Sequence, residues 1–143
     1  MSSYGRNSMR WVFARVVGII GFIGFVGFMG CSSKPTAEER AAQAAKTYYD
    51  HLMAGRYDEF LGGRVGADSL SAAYREQLFT ACQQFVAQQA KAHQGVSDIR
   101  ISNARTDTLA NYVSVFLLLC YADSMQEEIV VPMVEHNGRW CMK

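Results

Sequence analysis

The residues with chemical potential in this chain are cysteines at 31, 82, 120 and 141, histidines at 51, 93 and 136, and a set of tyrosines joined by Trp140. A metal site needs clustered His, Cys or carboxylate ligands. The histidines fall instead at two helix ends and a hairpin turn, where they meet solvent or a helix dipole, so neither a metal nor a cofactor is expected. Acid–base or covalent catalysis needs a nucleophile and a base converging in a cleft. Asp98 and Arg100 alternate on one strand, and Tyr112 and Ser114 share a face of the next. Both patterns read as the solvated side of a sheet. The polar side chains expected to point inward are Tyr48, Tyr49, Tyr121 and Trp140. They suit the wall of a pocket for a small apolar ligand, and they suit ordinary core packing more often still. An unaided tyrosine titrates near about 10, poorly matched to base catalysis at neutral pH. No catalytic residue is expected.

The chain has 143 residues, 50% hydrophobic and 19% charged, with a net charge of +1. That suits one domain of ordinary globular composition. The charge is unevenly placed. The first 30 residues carry Arg6, Arg10 and Arg15 and no acid, whereas the rest carry eleven basic against thirteen acidic residues. A slightly acidic body excludes a basic nucleic-acid footprint as the leading idea.

Val16 to Met29 run without a charge, and Gly30-Cys31-Ser32-Ser33 follows. A basic start, a short apolar run and a small residue before the cut are the parts of a secretory signal. The stretch Phe28-Met29-Gly30-Cys31 resembles the bacterial lipobox, although Phe28 and Met29 stand where Leu and Ala or Ser are commoner. The resemblance implies cleavage between Gly30 and Cys31 and a diacylglycerol on the Cys31 thiol. Ser32 is similar to the default for sorting to the outer membrane. The alternative is an uncleaved membrane helix, which needs about 20 apolar residues, more than Arg15 leaves. The expected organisation is thus a signal at 1–30, a lipidated tether at 31–35 and one domain at 36–143.

Thr36-Ala37-Glu38-Glu39 has the capping-box form. The helix after it places Ala37, Ala41, Ala44, Ala45, Tyr48 and Leu52 on one stripe, and Gly55 can stop it. A brief helical turn at 56–61 and a Gly-rich break follow. Asp68 or Ser69 can cap a second long helix reaching His93, with Leu70, Tyr74, Leu78, Ala81, Phe85, Gln89 and Ala92 as its stripe. After Gly95 the period falls to two, predicting strands at about 97–105, 111–121, 127–135 and 139–143. Turns are expected at 106–108 and 122–124, and at Asn137-Gly138. Helices first and a meander afterwards mean an α+β fold, N-terminal helices packed on a curved four-stranded antiparallel sheet.

Tyr48-Tyr49 and Leu52, then Gly55-Arg56-Tyr57-Asp58-Glu59-Phe60, then a meander ending Glu135-His136-Asn137-Gly138-Arg139-Trp140, form a recognisable order. It resembles small bacterial lipoproteins with a cystatin-like or nuclear-transport-factor-2-like (NTF2-like) domain, a cone of helices over a curved sheet. Proteins of that fold include isomerases, dehydratases and ligand carriers, so the resemblance implies an architecture and no activity. The expected function is a non-enzymatic envelope lipoprotein that binds a small apolar ligand or acts as an interaction module. The alternative is an isomerase- or dehydratase-like enzyme of the same fold.

The strand at 111–121 is apolar on both faces: Val113, Val115, Leu117 and Leu119 alternate with Tyr112, Phe116, Leu118 and Cys120. One face should meet the helices. The other, with Phe116 and Leu118, either is covered by its own chain or forms a homodimer or partner contact. Cys120 and Cys141 share that outer face by parity. With one strand between them they are expected about 9–10 Å apart, too far for a disulfide. Asp-Ser/Thr-apolar triplets at Ser69, Thr108 and Ser124 resemble the O-glycosylation sequon of exported Bacteroidota proteins, and the same triplets serve as caps and turns. The lipid is directly testable. Membrane-extracted protein should lack residues 1–30 and carry added acyl mass, and Cys31→Ala should abolish both changes. Identical detergent partitioning of the two proteins would sink the assignment.

Overall fold

The computed structural model describes residues 33–143; Gly30 and Cys31 lie outside the described residues. The elements run α1 (Ala37–Met53), α2 (Tyr57–Gly62), a 3-10 turn (Ala67–Ser69), α3 (Ala72–His93), then β1 (Val96–Asp107), β2 (Tyr112–Tyr121), β3 (Gln126–His136) and β4 (Arg139–Met142). The strands form one antiparallel sheet in the order β1-β2-β3-β4. The expected α+β meander is what the chain forms. Among the described residues no helix is long and apolar enough to cross a membrane.

α1 begins at the expected capping box: the Thr36 hydroxyl accepts from the Glu39 N–H at 3.1 Å, and the Glu39 carboxylate accepts from the Thr36 N–H at 2.7 Å. Two of the helix's unpaired N-terminal donors are thereby satisfied. Ala41, Ala42 and Ala45 are buried against Val113, Val115, Leu117 and Leu119 of β2. Val131 and Met133 of β3, Ile99 of β1 and Met142 of β4 complete that core. Register irregularities at Val96/Asp98 and Ile101/Asn103 put extra residues into β1, and such bulges bend a strand and raise its twist. Asn137 and Gly138 both have positive φ, as a two-residue hairpin of this kind requires.

Several expectations are corrected. α3 is capped by Ser71, not Asp68 or Ser69, because Ala67–Ser69 forms its own 3-10 turn and Leu70 is extended; the Ser71 hydroxyl accepts from the Tyr74 N–H at 3.3 Å. The inner face of α3 is Leu78, Phe79, Cys82, Phe85 and Val86, packed on Leu52 and Leu61. Tyr74, expected on that face, is 49% exposed. α3 thus leans on α1 and α2, which fixes a different rotation from the one a sheet contact would select. The first hairpin turn lies at 108–111, later than expected, because the Asp107 carboxylate accepts from the Leu109 and Ala110 N–H groups and anchors the loop. Cys120 pairs with Gln126 and Cys141 with Val134. Those partners stand eight positions apart on β3, about 27 Å along the strand, so the cysteines are kept apart along the sheet and not merely across it.

One connection has no counterpart in the sequence reading. The segment after α2 lies beside β4: the Val65 N–H donates to the Met142 carbonyl at 2.9 Å and the Met142 N–H to the Gly63 carbonyl at 2.7 Å. The close approach needs glycine at 63. A Cβ there would stand 2.5 Å from the Tyr48 ring, and that ring is pinned because its hydroxyl donates to the Trp140 carbonyl at 2.8 Å. The Gly63 φ is −77°, so its demand is for space alone. Gly63→Ala should therefore cost about 1–3 kcal/mol, the range of overpacking. Gly62→Ala, whose Cβ would meet nothing, should cost far less. Urea denaturation of the two variants measures the difference, and equal midpoints would refute the pinned-ring account.

Candidate functional site

Between α1, α2 and α3 lies an apolar cavity of about 260 Å³. Tyr49 and Leu52 of α1, Phe60 and Leu61 of α2, and Leu78 and Phe85 of α3 wall it. Cys82 adds a thiol and Arg64 a guanidinium at the rim. Tyr49 and Phe60 meet edge to face, ring centroids 5.4 Å apart, a geometry aromatic quadrupoles favour. Burial pushes the Cys82 thiol and the Tyr49 phenol above their ordinary pKa values, with the charge of Arg64 opposing both shifts. A thiol held protonated is a weak nucleophile.

Arg64 also borders a second, polar cleft of about 390 Å³, with Asp68, His136 and Arg139 around Cys141. There the Arg139 guanidinium donates to the Gly62 carbonyl at 3.1 Å. A third space of about 420 Å³ opens beside Trp140, Tyr112 and Val134 at the other side of the hairpin. The Trp140 ring N–H is buried without a partner.

The four aromatics singled out from the sequence do not surround one space. Adjacent residues on a helix point about 100° apart, so Tyr48 covers Gly63 while Tyr49 faces the interhelical cavity. Trp140 borders the third space. Tyr121 sits at the far end of β2, where its hydroxyl donates to the Glu127 carboxylate at 2.7 Å and its ring stacks on His93 at 4.4 Å. Burial first, and then Glu127, push its pKa up to about 12. His93 in turn shares a 2.9 Å hydrogen bond with Asp123, which holds that carboxylate below its ordinary range. None of His93, Tyr121, Asp123 or Glu127 lines the three spaces above. The cluster fastens the C-terminal end of α3 to the sheet.

Phe116 and Leu118 are half-buried on the outer sheet face. Val130, opposite Phe116, is 55% exposed. Arg105 lies over the Phe116 ring at 5.2 Å and Lys143 over Tyr112 at 5.1 Å. α1 packs against the other face. Ser69, Thr108 and Ser124 are all exposed, and the aspartates before the last two cap their own turns. Among the described residues no group of three His, Cys, Asp or Glu gathers to hold a metal. Sequence reasoning missed Arg64, Phe60, Cys82 and Phe85 as cavity residues. The pair Leu78 and Phe85, seven apart, was visible as one helix face, whereas nothing local distinguished Arg64.

No family model matches the chain, and no curated protein matches it significantly. Among solved structures it is similar to a Campylobacter jejuni protein named as a candidate NTF2-like transpeptidase, with a TM-score of 0.58 and 13% identity over 70% of this chain and 94% of that one. A likeness at that identity extends to architecture and stops short of activity. Helices followed by an open four-stranded meander, matched across nearly the whole of that neighbour, give this chain an NTF2-like α+β domain.

Proposed function

We propose that the domain is a small-molecule-binding module without a catalytic step of its own, presented at the bacterial outer membrane by a lipid on Cys31. The observation that carries the binding reading is the interhelical cavity, walled by aromatic and aliphatic side chains with one cation at its rim. Binding sites are typically apolar hollows with a few polar anchors, most of them about 300–1,000 Å³, so a space of about 260 Å³ suits a small occupant such as a single substituted ring. The alternative, an isomerase, a dehydratase or the acyl transfer implied by the Campylobacter protein's name, needs an activated nucleophile or a tuned acid–base pair. The cavity offers Cys82, which burial keeps protonated, and Arg64, whose guanidinium donates hydrogen bonds and accepts none. That chemistry favours holding over turnover.

Phenylacetamide, a neutral ring of suitable size, should raise the melting temperature of the full-length chain, as any ligand that binds only the folded state does. Ala81→Phe, at the cavity wall, should remove the shift. A melting temperature unmoved by the ligand would reduce the cavity to packing space. Turnover of a substrate, lost on removing one cavity side chain, would instead establish the enzyme.

The outer face favours a second, compatible reading. Phe116, Leu118, Val130 and Pro132 form an apolar patch at its centre, and such patches tend to be contact surfaces. A second copy related by a two-fold axis would bring the Glu128 end of one sheet over the Arg105 and Lys143 end of the other, opposite charges meeting. Residues 32–143 should then sediment as a dimer and Phe116→Glu as a monomer. A monomeric parent would dismiss self-association.

A further inference from the structure

We propose that the occupant of the interhelical cavity is an apolar carboxylate, its ring or short chain among Tyr49, Phe60, Leu78 and Phe85 and its charge held by Arg64. The inference rests on the binding reading and names its ligand class. Arg64 borders both the apolar cavity and the polar cleft, so its guanidinium stands at the junction where an amphipathic molecule changes character. Its backbone is fixed: the bonds Val65 N–H to Met142 carbonyl and Met142 N–H to Gly63 carbonyl flank it on both sides. The base of the side chain is therefore preorganised, which lowers the entropy lost on gripping a ligand.

Arg64 also has donors to spare. The ion pairs of the described residues join Lys46 to Asp50, Arg75 to Asp58, His93 to Asp123 and Arg100 to Asp98, and none involves Arg64. Arg139, the other cation of the cleft, already serves the Gly62 carbonyl and feels Asp68. A guanidinium presents five N–H groups in a planar fork that matches a carboxylate in two parallel bonds. Its field reaches into the cavity, where it opposes the effect of burial on Tyr49 and Cys82. Asp68, which lines the same polar cleft, sets a limit on charge: one negative group is accommodated beside Arg64, while a phosphate dianion would meet Asp68 as well. The polar cleft leaves the carboxylate partly solvated, so it need not be stripped of water to bind.

The test compares phenylacetate with phenylacetamide, which share a ring and differ in charge, on the full-length chain in detergent by isothermal titration. Phenylacetate should bind the parent at least about tenfold more tightly, the scale of one charge-assisted hydrogen bond. Arg64→Gln should abolish that preference by weakening phenylacetate far more than phenylacetamide, and an unchanged far-UV circular dichroism spectrum shows that the variant is folded. Arg64→Lys should restore part of the preference, since a point charge replaces the fork. Equal affinities in the parent, or a preference that survives in Arg64→Gln, overturn the carboxylate assignment while the cavity stands. If phenylacetamide does not bind, or binds Ala81→Phe as well as the parent, the cavity reading itself falls and takes this one with it.

Discussion

The close seating of α1 on the sheet is the contact from which the other arrangements follow. Ala41 and Ala45 are wholly buried, and side chains that small let the helix backbone approach the valines and leucines of β2 with nothing larger intervening. Had these positions carried leucine, the helix would stand further off, and overpacking of that kind costs about 1–3 kcal/mol. One helical turn later the residues become large. Tyr48 reaches the strand side at Gly63 and Trp140, while Tyr49 and Leu52 reach the helix side. A single helix thus makes two surfaces, one that seals the sheet and one that receives α2 and α3.

The segment beside β4 depends on that seating. Tyr48 bonds the Trp140 carbonyl and lies against Gly63, so it ties together the two backbones that pair through Val65 and Met142. An edge strand with unpaired N–H and C=O groups invites pairing with other chains. Here the short β4 has its outer side occupied by the protein's own loop. The same pairing carries Arg64 to the junction of two cavities, so protection of an edge and placement of a cation come from one feature.

How much of this was legible depended on whether the signal was local. The capping box at Thr36, the Asn137-Gly138 turn and the alternation of β2 each depend on residues adjacent in sequence, and the structure has all three. The rotation of α3 was not legible, because Tyr74 and Leu70 fit the same helical period as Leu78 and Phe85, and only the position of α2 selects among the overlapping faces. Tyr48 and Tyr49 were recognised as inward, but adjacency in sequence does not place two side chains in the same space. Arg64 pairs with a strand some eighty residues away, and its neighbourhood in the chain is glycine and valine. A long-range pairing of this kind has no local signature.

The sparse packing of α3 has a kinetic meaning. Over 22 residues only Cys82 is buried. The ion pair of Arg75 with Asp58 near one end is exposed, and pairs of that kind are worth little. The stack and hydrogen bond of His93 secure the other end. Such a helix can detach from its neighbours for far less free energy than unfolding the sheet requires, as a separate cooperative unit. Its amides would then exchange with solvent through this partial opening, while those of β2 wait for the whole domain. Since α3 forms one wall of the interhelical cavity, the same opening takes that wall away, and whatever rests against it is released with it.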